Sequence, residues 1–476
     1  MSEGDDLILD RLALDIRQQM ETLQLPMEVI DNFLEMLRKT LAVEDSYVSL
    51  DSLSPPETSR LLNTAYDPAR VNNLSESGMK LLDRVAVIKL NGGRSTTMGG
   101  EVPKGILIAK NGRSYLDIIA GQINAIQKHW GVEVPLFLMN SFFTHEPTIR
   151  VISRLDIPVR TFTQSQVPRL VSDTLAPLRT GTDEDWVPPG HGDVYMSLRL
   201  SGLLEEMIAE GRRWAFISNL DNLAACLEPW ILGLIESEGI EFLMEVTERT
   251  EEDRKGGTLV VREGRLDLLE IAQVSPEERD SFMDINRFRV FNTNNIWVDL
   301  EALSRALDER VLKLPIIQNI KHIAGTKVIQ LETAMGSAIG SFSSAKGLQV
   351  ARDRFFPTKT VEDLFLLHTD VCILDSMDRL QRNPNRPQGL PSRPRVVFGS
   401  DFLDSPLKIQ SCFEDPSSVS LVRAESLEVQ GPVYFESDVT IVGKVKVQGY
   451  PDHTYRVKRG TTLRDAVYSS QPESVL

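Results

Sequence analysis

VAVIKLNGGRSTTMGGEVPKG, residues 85–105, joins an apolar, β-branched run to a glycine-rich stretch that closes on Pro-Lys. The run has the length and residue types of a buried strand. Glycine lets the backbone that follows approach a ligand closely and take left-handed angles. Backbone N–H groups together with a lysine are what hold phosphate oxygens. Pro103 stiffens the approach to Lys104, so the ammonium is presented with little further loss of freedom. The spacing is neither GxxxxGK[ST] nor GxGxxG. A loop of this kind is expected at the carboxyl edge of an open α/β sheet, where such sheets bind their ligands.

The flanking sequence fits that sheet. Val134–Met139, Val159–Phe162, Trp214–Asn219 and Phe242–Val246 read as further short strands, and Ser114–Lys128 and Ser197–Ala209 carry helical periodicity. Alternation of this kind over residues 81–350 predicts a Rossmann-like α/β domain with a mixed, mainly parallel sheet and helices on both faces. Ahead of it, residues 1–80 read as a helical region, with Ile30, Phe33, Leu34 and Leu37 on one face. Ser54-Pro55-Pro56 interrupts that region, with Ser54 or Thr58 as a cap for a following helix. The domain is expected to run from 81 to 380, and a proline- and arginine-rich stretch, 381–400, reads as a linker.

Residues 401–476 carry a repeat. Leu427, Val433, Val439 and Val445 form one series spaced by six residues, and Val429, Phe435, Ile441 and Val447 form a second. Two apolar positions recurring every six residues predict a left-handed β-helix of hexapeptides, an antiparallel hairpin pair being the alternative. The open end of such a helix offers an edge to a second copy, so a homo-oligomer is compatible with it.

The chain has 476 residues and a formal net charge of -16, so nothing in its overall charge draws it to nucleic acid or to an anionic membrane. A polyanionic small molecule would be met by local positive charge. Cys226, Cys372 and Cys412 show no CxxC spacing, hence neither a zinc signature nor a disulfide framework. The N-terminus lacks the pattern of a signal peptide, and no apolar run has the length of a membrane span. A reducing, cytoplasmic setting is expected.

Several separated blocks then carry a resemblance: KLNGG at 89–93 with Pro103-Lys104, PLFLMNSF at 135–142, FTQSQVPR at 162–169, PPGHGDVY at 188–195, FISNLDNL at 216–223, MEVTERTEEDRKGGTL at 244–259, FNTNNIWV at 291–298, VIQLETAMGSAI at 328–339 and RFFPTKTVEDL at 354–364. In this order they resemble the eukaryotic-type UTP–glucose-1-phosphate uridylyltransferases over roughly residues 80–370, with a compatible C-terminal β-helix. The resemblance implies a GT-A-like nucleotidyltransferase domain that makes UDP-glucose and pyrophosphate from UTP and glucose 1-phosphate with Mg²⁺.

The resemblance also implies roles. Leu90, Asn91, Gly92, Gly93 and Arg94 would wall the nucleotide site, with Gln164 as base reader, Gly190 giving room beside the base, and Met139 against the ring or in the strand core. His191, Asn219, Leu220, Lys255, Asn294 and Glu332 would meet the sugar phosphate, with Lys327 a weaker candidate. Lys104 and Lys359 would supply positive charge and Asp221 would hold the metal.

The loop departs from the family pattern, which has Leu where Arg94 stands, Gly where Ser95 stands, and no acid where Glu101 stands. Two consequences stay open: Arg94 adds a guanidinium for the β- and γ-phosphates, or Ser95 and Glu101 weaken phosphate binding. Three readings therefore remain, namely the glucose enzyme, an enzyme for galactose 1-phosphate or an N-acetylhexosamine 1-phosphate, and a non-catalytic UDP-sugar sensor or scaffold.

Overall fold

The structure, a computed structural model, describes residues 3–42, 47–57, 59–63, 68–94, 102–399, 411–451 and 453–469. Its centre is an eight-stranded sheet. In chain order the strands are β1 (Leu61–Asn63), β2 (Val85–Asn91), β3 (Leu136–Asn140), β4 (Val159–Thr163), β5 (Trp214–Asn219), β6 (Phe242–Glu248), β7 (Val290–Asp299) and β8 (Ala345–Gln349). Across the sheet they lie in the order β1-β8-β6-β7-β5-β2-β3-β4. Every strand but β7 runs the same way. The mixed, mainly parallel sheet is therefore as expected. The β-branched run that opened the reading is its centre: Val85–Ile88 are buried on both faces, as a strand covered by helices must be.

From β2 the chain builds β3 and β4 outward on one side, then returns to place β5 on the other. That reversal is the switch point at which a crevice opens beyond the carboxyl ends of the strands. The glycine loop leaves β2 there. Helix α1 (Tyr115–Trp130) starts on a capping box, Ser114 with Asp117, and ends on left-handed Gly131.

Helices Glu3–Thr22 and Met27–Ala42 precede the sheet. Ile30, Phe33, Leu34 and Leu37 are buried against Val167, Leu170, Trp186 and Leu331. Ser54, expected as a possible cap, lies instead in a short strand paired with Thr258–Arg262, and Thr58 falls outside the described residues. The first eighty residues also donate a strand, β1, to the edge of the main sheet.

The C-terminal strands pair in parallel throughout, which excludes the hairpin alternative. Leu427 lies beside Val445 and Val429 beside Val447, so one turn of this coil takes three hexapeptides; the next is longer, with Val433 beside Tyr455. All positions of both six-residue series are buried. The stretch expected as a linker takes part in this: Arg395–Phe398 pairs with Ser426–Val429. Buried Arg386 donates to the carbonyls of Leu421, Val422 and Ala424. Helix α2 (Val361–His368) packs on the coil through Phe365 and Phe413, whose rings lie 4.6 Å apart, with Phe435 stacked beyond at 4.7 Å. The coil thereby supports the helix that begins just after Lys359.

Candidate active site

A cleft of about 450 Å³ opens at the switch point, lined by Leu90, Asn91, Gly92, Gly93, Arg94, Lys104, Met139, Gln164, Pro188, Gly190, His191, Asn219, Leu220, Asp221 and Lys359. Its size is that of a small-molecule site. These residues lie far apart in the chain, and the sheet order brings them together.

Lys104 and Asp221 form one unit. Lys104 Nζ donates to Asp221 Oδ2 and to the Thr358 carbonyl, both at 2.8 Å. Among the described residues, buried Asp221 Oδ1 has no hydrogen-bond partner. The Asp221 carbonyl accepts from Thr358 N at 3.2 Å. Beside it, Asn222 spans to the segment that carries Lys359: its Nδ2 donates to the Arg354 carbonyl and its Oδ1 accepts from Phe356 N. Lys89, inside the sheet, donates to Ser218 Oγ and the Ala225 carbonyl, tying β2 to the turn after β5. Burial brings its ammonium down to about 8.

At the mouth of the glycine loop Arg94 and Pro103 pair as a β-bridge. Ser95 and Glu101, the other departures from the family loop, lie outside the described residues. Gly92 packs on Gln164, where a Cβ would come 2.2 Å from Oε1. Asn91 lines the cleft, but its Nδ2 is committed to Asn140 Oδ1 and Thr148 Oγ1. Met139 both lines the cleft and is buried in the strand core.

Gly190 has φ +81°, and a Cβ there would come 2.5 Å from the Thr333 carbonyl oxygen. The crowding comes from the Thr326–Thr333 strand, a different steric reason from the room beside a base that the sequence led us to expect. His191 follows. Its Nδ1 accepts from Met335 N at 3.1 Å, so a neutral ring carries its proton on Nε2. Burial, then the nearby charge of Lys359, brings the imidazole down to about 4. Lys359 also faces Glu270, whose carboxyl burial pushes up to about 7.

Four expected residues are not brought to the lining. Lys255 is exposed on the turn after β6. Asn294, at φ +57° in β7, turns its side chain to Asn292, with Oδ1 accepting from Asn292 Nδ2 at 2.9 Å. Glu332 lies behind Gly190 and accepts from Asn319 Nδ2 at 3.1 Å. Lys327 is exposed on the hairpin of Ile316–Ile323 and Thr326–Thr333. Glu270, Asn222, the Thr358 carbonyl and Pro188 were not singled out from sequence: Asn222, Thr358 and Pro188 lie inside quoted motifs but owe their significance to position, and Glu270 lies outside every motif.

A glycine loop, a lysine–aspartate pair and a second lysine meeting at the switch point of a mainly parallel sheet define a nucleotide-handling α/β protein. The sequence matches the UTP–glucose-1-phosphate uridylyltransferase family over residues 30–442. It is 40% identical to the UTP–glucose-1-phosphate uridylyltransferase of Solanum tuberosum over 429 residues, 87% of each chain. With that of Saccharomyces cerevisiae it shares 36% over 455 residues, 92% of this chain and 88% of the other. A crystal structure of UDP-glucose phosphorylase from Trypanosoma brucei superposes with a TM-score of 0.84 at 33% identity, covering 97% of this chain and 100% of that one. A mutant UDP-glucose pyrophosphorylase from Leishmania major in complex with UDP-glucose gives 0.84 at 31% identity, over 96% and 99%. The chain belongs to the UTP–glucose-1-phosphate uridylyltransferase family.

Proposed function

We propose that this chain transfers the uridylyl group of UTP to glucose 1-phosphate, giving UDP-glucose and pyrophosphate, the activity its family is named for. The observation that carries the reading is the meeting of Lys104, Asp221, Lys359 and His191 with the glycine loop in one cleft. A phosphate oxygen of glucose 1-phosphate attacks the α-phosphorus of UTP in line. The bond to the β-phosphate breaks and pyrophosphate leaves. The nucleophile is already an anion, so no general base is needed. The barrier lies in bringing two anions together, which positioning and positive charge lower.

On this reading Gly92, Gly93 and Arg94 face the nucleotide phosphates, and Leu90, Met139, Gln164 and Gly190 surround the uracil. The Gln164 amide offers the base edge a donor and an acceptor. Neutral His191 donates from Nε2 to the sugar phosphate, next to Asn219, Leu220 and the charge of Lys359. Lys104 works from its position between Asp221 and Thr358.

Mg²⁺ fits the cleft. Among the described residues nothing partners the buried Oδ1 of Asp221, and carboxylate, phosphate and water oxygens are the donors this ion takes. Among the described residues no three His, Cys, Asp or Glu side chains cluster as a metal site, so Asp221 would be joined by substrate phosphates. When bound, the ion would neutralise phosphate charge.

In this proposal residues 1–80 form a mainly helical region that also lends strand β1, 81–380 the nucleotidyltransferase domain, 381–400 a connecting segment whose Arg395–Phe398 strand joins the coil, and 401–476 a C-terminal domain whose coil is left-handed. A cytoplasmic setting accords with the burial of Cys226, Cys372 and Cys412. Among the described residues no helix is long and apolar enough to cross a membrane.

The test is pyrophosphate release from UTP, glucose 1-phosphate and Mg²⁺ by the purified protein. Release is expected, and expected to vanish in Asp221→Ala. Release only with galactose 1-phosphate or an N-acetylhexosamine 1-phosphate would move the reading to that sugar. Binding of UDP-glucose without turnover of any of them would make the chain a sensor.

A further inference from the structure

Arg94 stands where the loop leaves the family pattern, and its surroundings are specific. Its guanidinium lies 3.9 Å over the ring of Phe143. Its Nη2 donates to Glu184 Oε1 at 3.0 Å. The other carboxylate oxygen, Glu184 Oε2, is 3.3 Å from Nη1 of Arg169, which also donates to the Glu184 carbonyl. Arg169 is buried, whereas the Arg94 and Glu184 side chains are 26% and 40% exposed. Glu184 thus has two cations, one fixed and one at the rim of the cleft.

These features make the rim cation exchangeable. A part-exposed ion pair contributes little to stability. A guanidinium paired with phosphate oxygens in its bidentate geometry makes a stronger contact. When Arg94 leaves, Arg169 still neutralises Glu184, so no carboxylate is left uncompensated. The Phe143 ring holds the guanidinium flat and oriented meanwhile. Through its bridge to Pro103, Arg94 also sits beside Lys104 at the phosphate end of the cleft.

We propose that Arg94 is a specificity-determining residue for the pyrophosphate end of the substrate, held by Glu184 in the resting cleft and taken over by the β- and γ-phosphates of UTP or by free pyrophosphate. The inference rests on the functional reading above and deepens it by assigning the exchange and the residue that opposes it. Ligands without that phosphate pair, glucose 1-phosphate and UDP-glucose, do not draw on Arg94.

Steady-state kinetics of the full chain in both directions tests this. Arg94→Leu raises KM for UTP and for pyrophosphate about tenfold, while KM for glucose 1-phosphate and for UDP-glucose stays within about twofold. Arg94→Lys, which keeps the charge and loses the fork, falls between. Glu184→Gln lowers KM for UTP and pyrophosphate, by about threefold, and does nothing in the Arg94→Leu background. Equal shifts in all four constants, no shift, or a higher KM for pyrophosphate in Glu184→Gln overturns the proposal. If Arg94→Leu does not fold, the other two single variants decide. An active wild type with a flat variant profile overturns this inference alone. A wild type that turns over neither substrate pair overturns the functional reading and this inference with it.

Discussion

In the coil, residues that touch are about one turn apart in the chain: Leu427 meets Val445 and Val429 meets Val447. In the cleft they come from distant segments. Lys104 meets Asp221 and Thr358, His191 meets Met335, and Asn222 reaches Arg354 and Phe356. The inward face of the coil is apolar, and any well-fitting apolar side chain serves it. The cleft depends on polar groups withdrawn from water and held by particular partners from distant segments, as Lys104 is by Asp221 and the Thr358 carbonyl. The two regions should therefore fail differently, the coil by melting and the cleft by losing rate.

The largest effect expected from breaking that contrast is in the cleft. Lys359→Ala should lower turnover by roughly 10²–10³, a few kcal/mol of barrier, as removal of a positioned charge does, with the thermal midpoint unchanged. Lys104→Ala should lose a similar factor; wild-type turnover in either purified variant would refute its assignment. Next comes the coil. Leu427→Ala removes a fully buried side chain and should cost about 2–4 kcal/mol of stability, read by denaturant melts. KM and turnover at low temperature should be unaltered; a kinetic defect there would mean that the coil reaches the cleft through α2.

Gly190→Ala should blur the contrast. The added Cβ meets the Thr333 carbonyl at a left-handed φ, so about 1–3 kcal/mol of stability should go. KM for glucose 1-phosphate should rise with it, because His191 moves too. Unchanged melting would show that the strand from Thr326 to Thr333 yields easily.

The smallest effect is one of pH. Burial pushes the Asp193 carboxyl up to about 6 from an ordinary 3.8, against hydrogen bonds from Ser197 and Ser165. The folded state therefore binds its proton more tightly across that window. Its contribution to stability is full below about 3.8 and lost as pH rises through about 6. His191 runs the other way, since its lowered value leaves stability full above 6.5 and lost as pH falls towards about 4. The wild-type stability measured relative to Asp193→Asn should fall as pH rises from about 4 to about 6 and be level above that. A level difference at every pH would remove Asp193 as a titrating group.

How far the sequence could be read follows the same division. The inward positions of the coil were legible one by one, because a six-residue register is a local property. The strands beside Val85–Asn91 were legible because β-branched runs between helical stretches have few other uses. Asp221 and Lys359 were reachable through their motifs. Lys255, a lysine before two glycines, reads in sequence as a phosphate ligand, while the structure leaves it exposed on the turn after β6 and outside the cleft lining. Asn294 reads in sequence as a sugar ligand, while in the fold its Oδ1 accepts from Asn292 and it stands outside the cleft lining, a pairing that sequence does not announce. Glu270 carried no local signal, and it matters only because the fold brings the charge of Lys359 near its buried carboxyl.

The sequence alone specified the glycine-rich loop after a buried strand, the alternation that makes a mainly parallel sheet, the inward register of the coil and the family. Each of these rests on residue type and short-range spacing, which chain connectivity enforces. Only the tertiary structure decided that Lys104 pairs with Asp221, that Met335 N settles the proton on His191, and that Glu184 rather than solvent holds Arg94. Those facts depend on which distant segments the sheet order sets side by side, and on how much water is excluded between them.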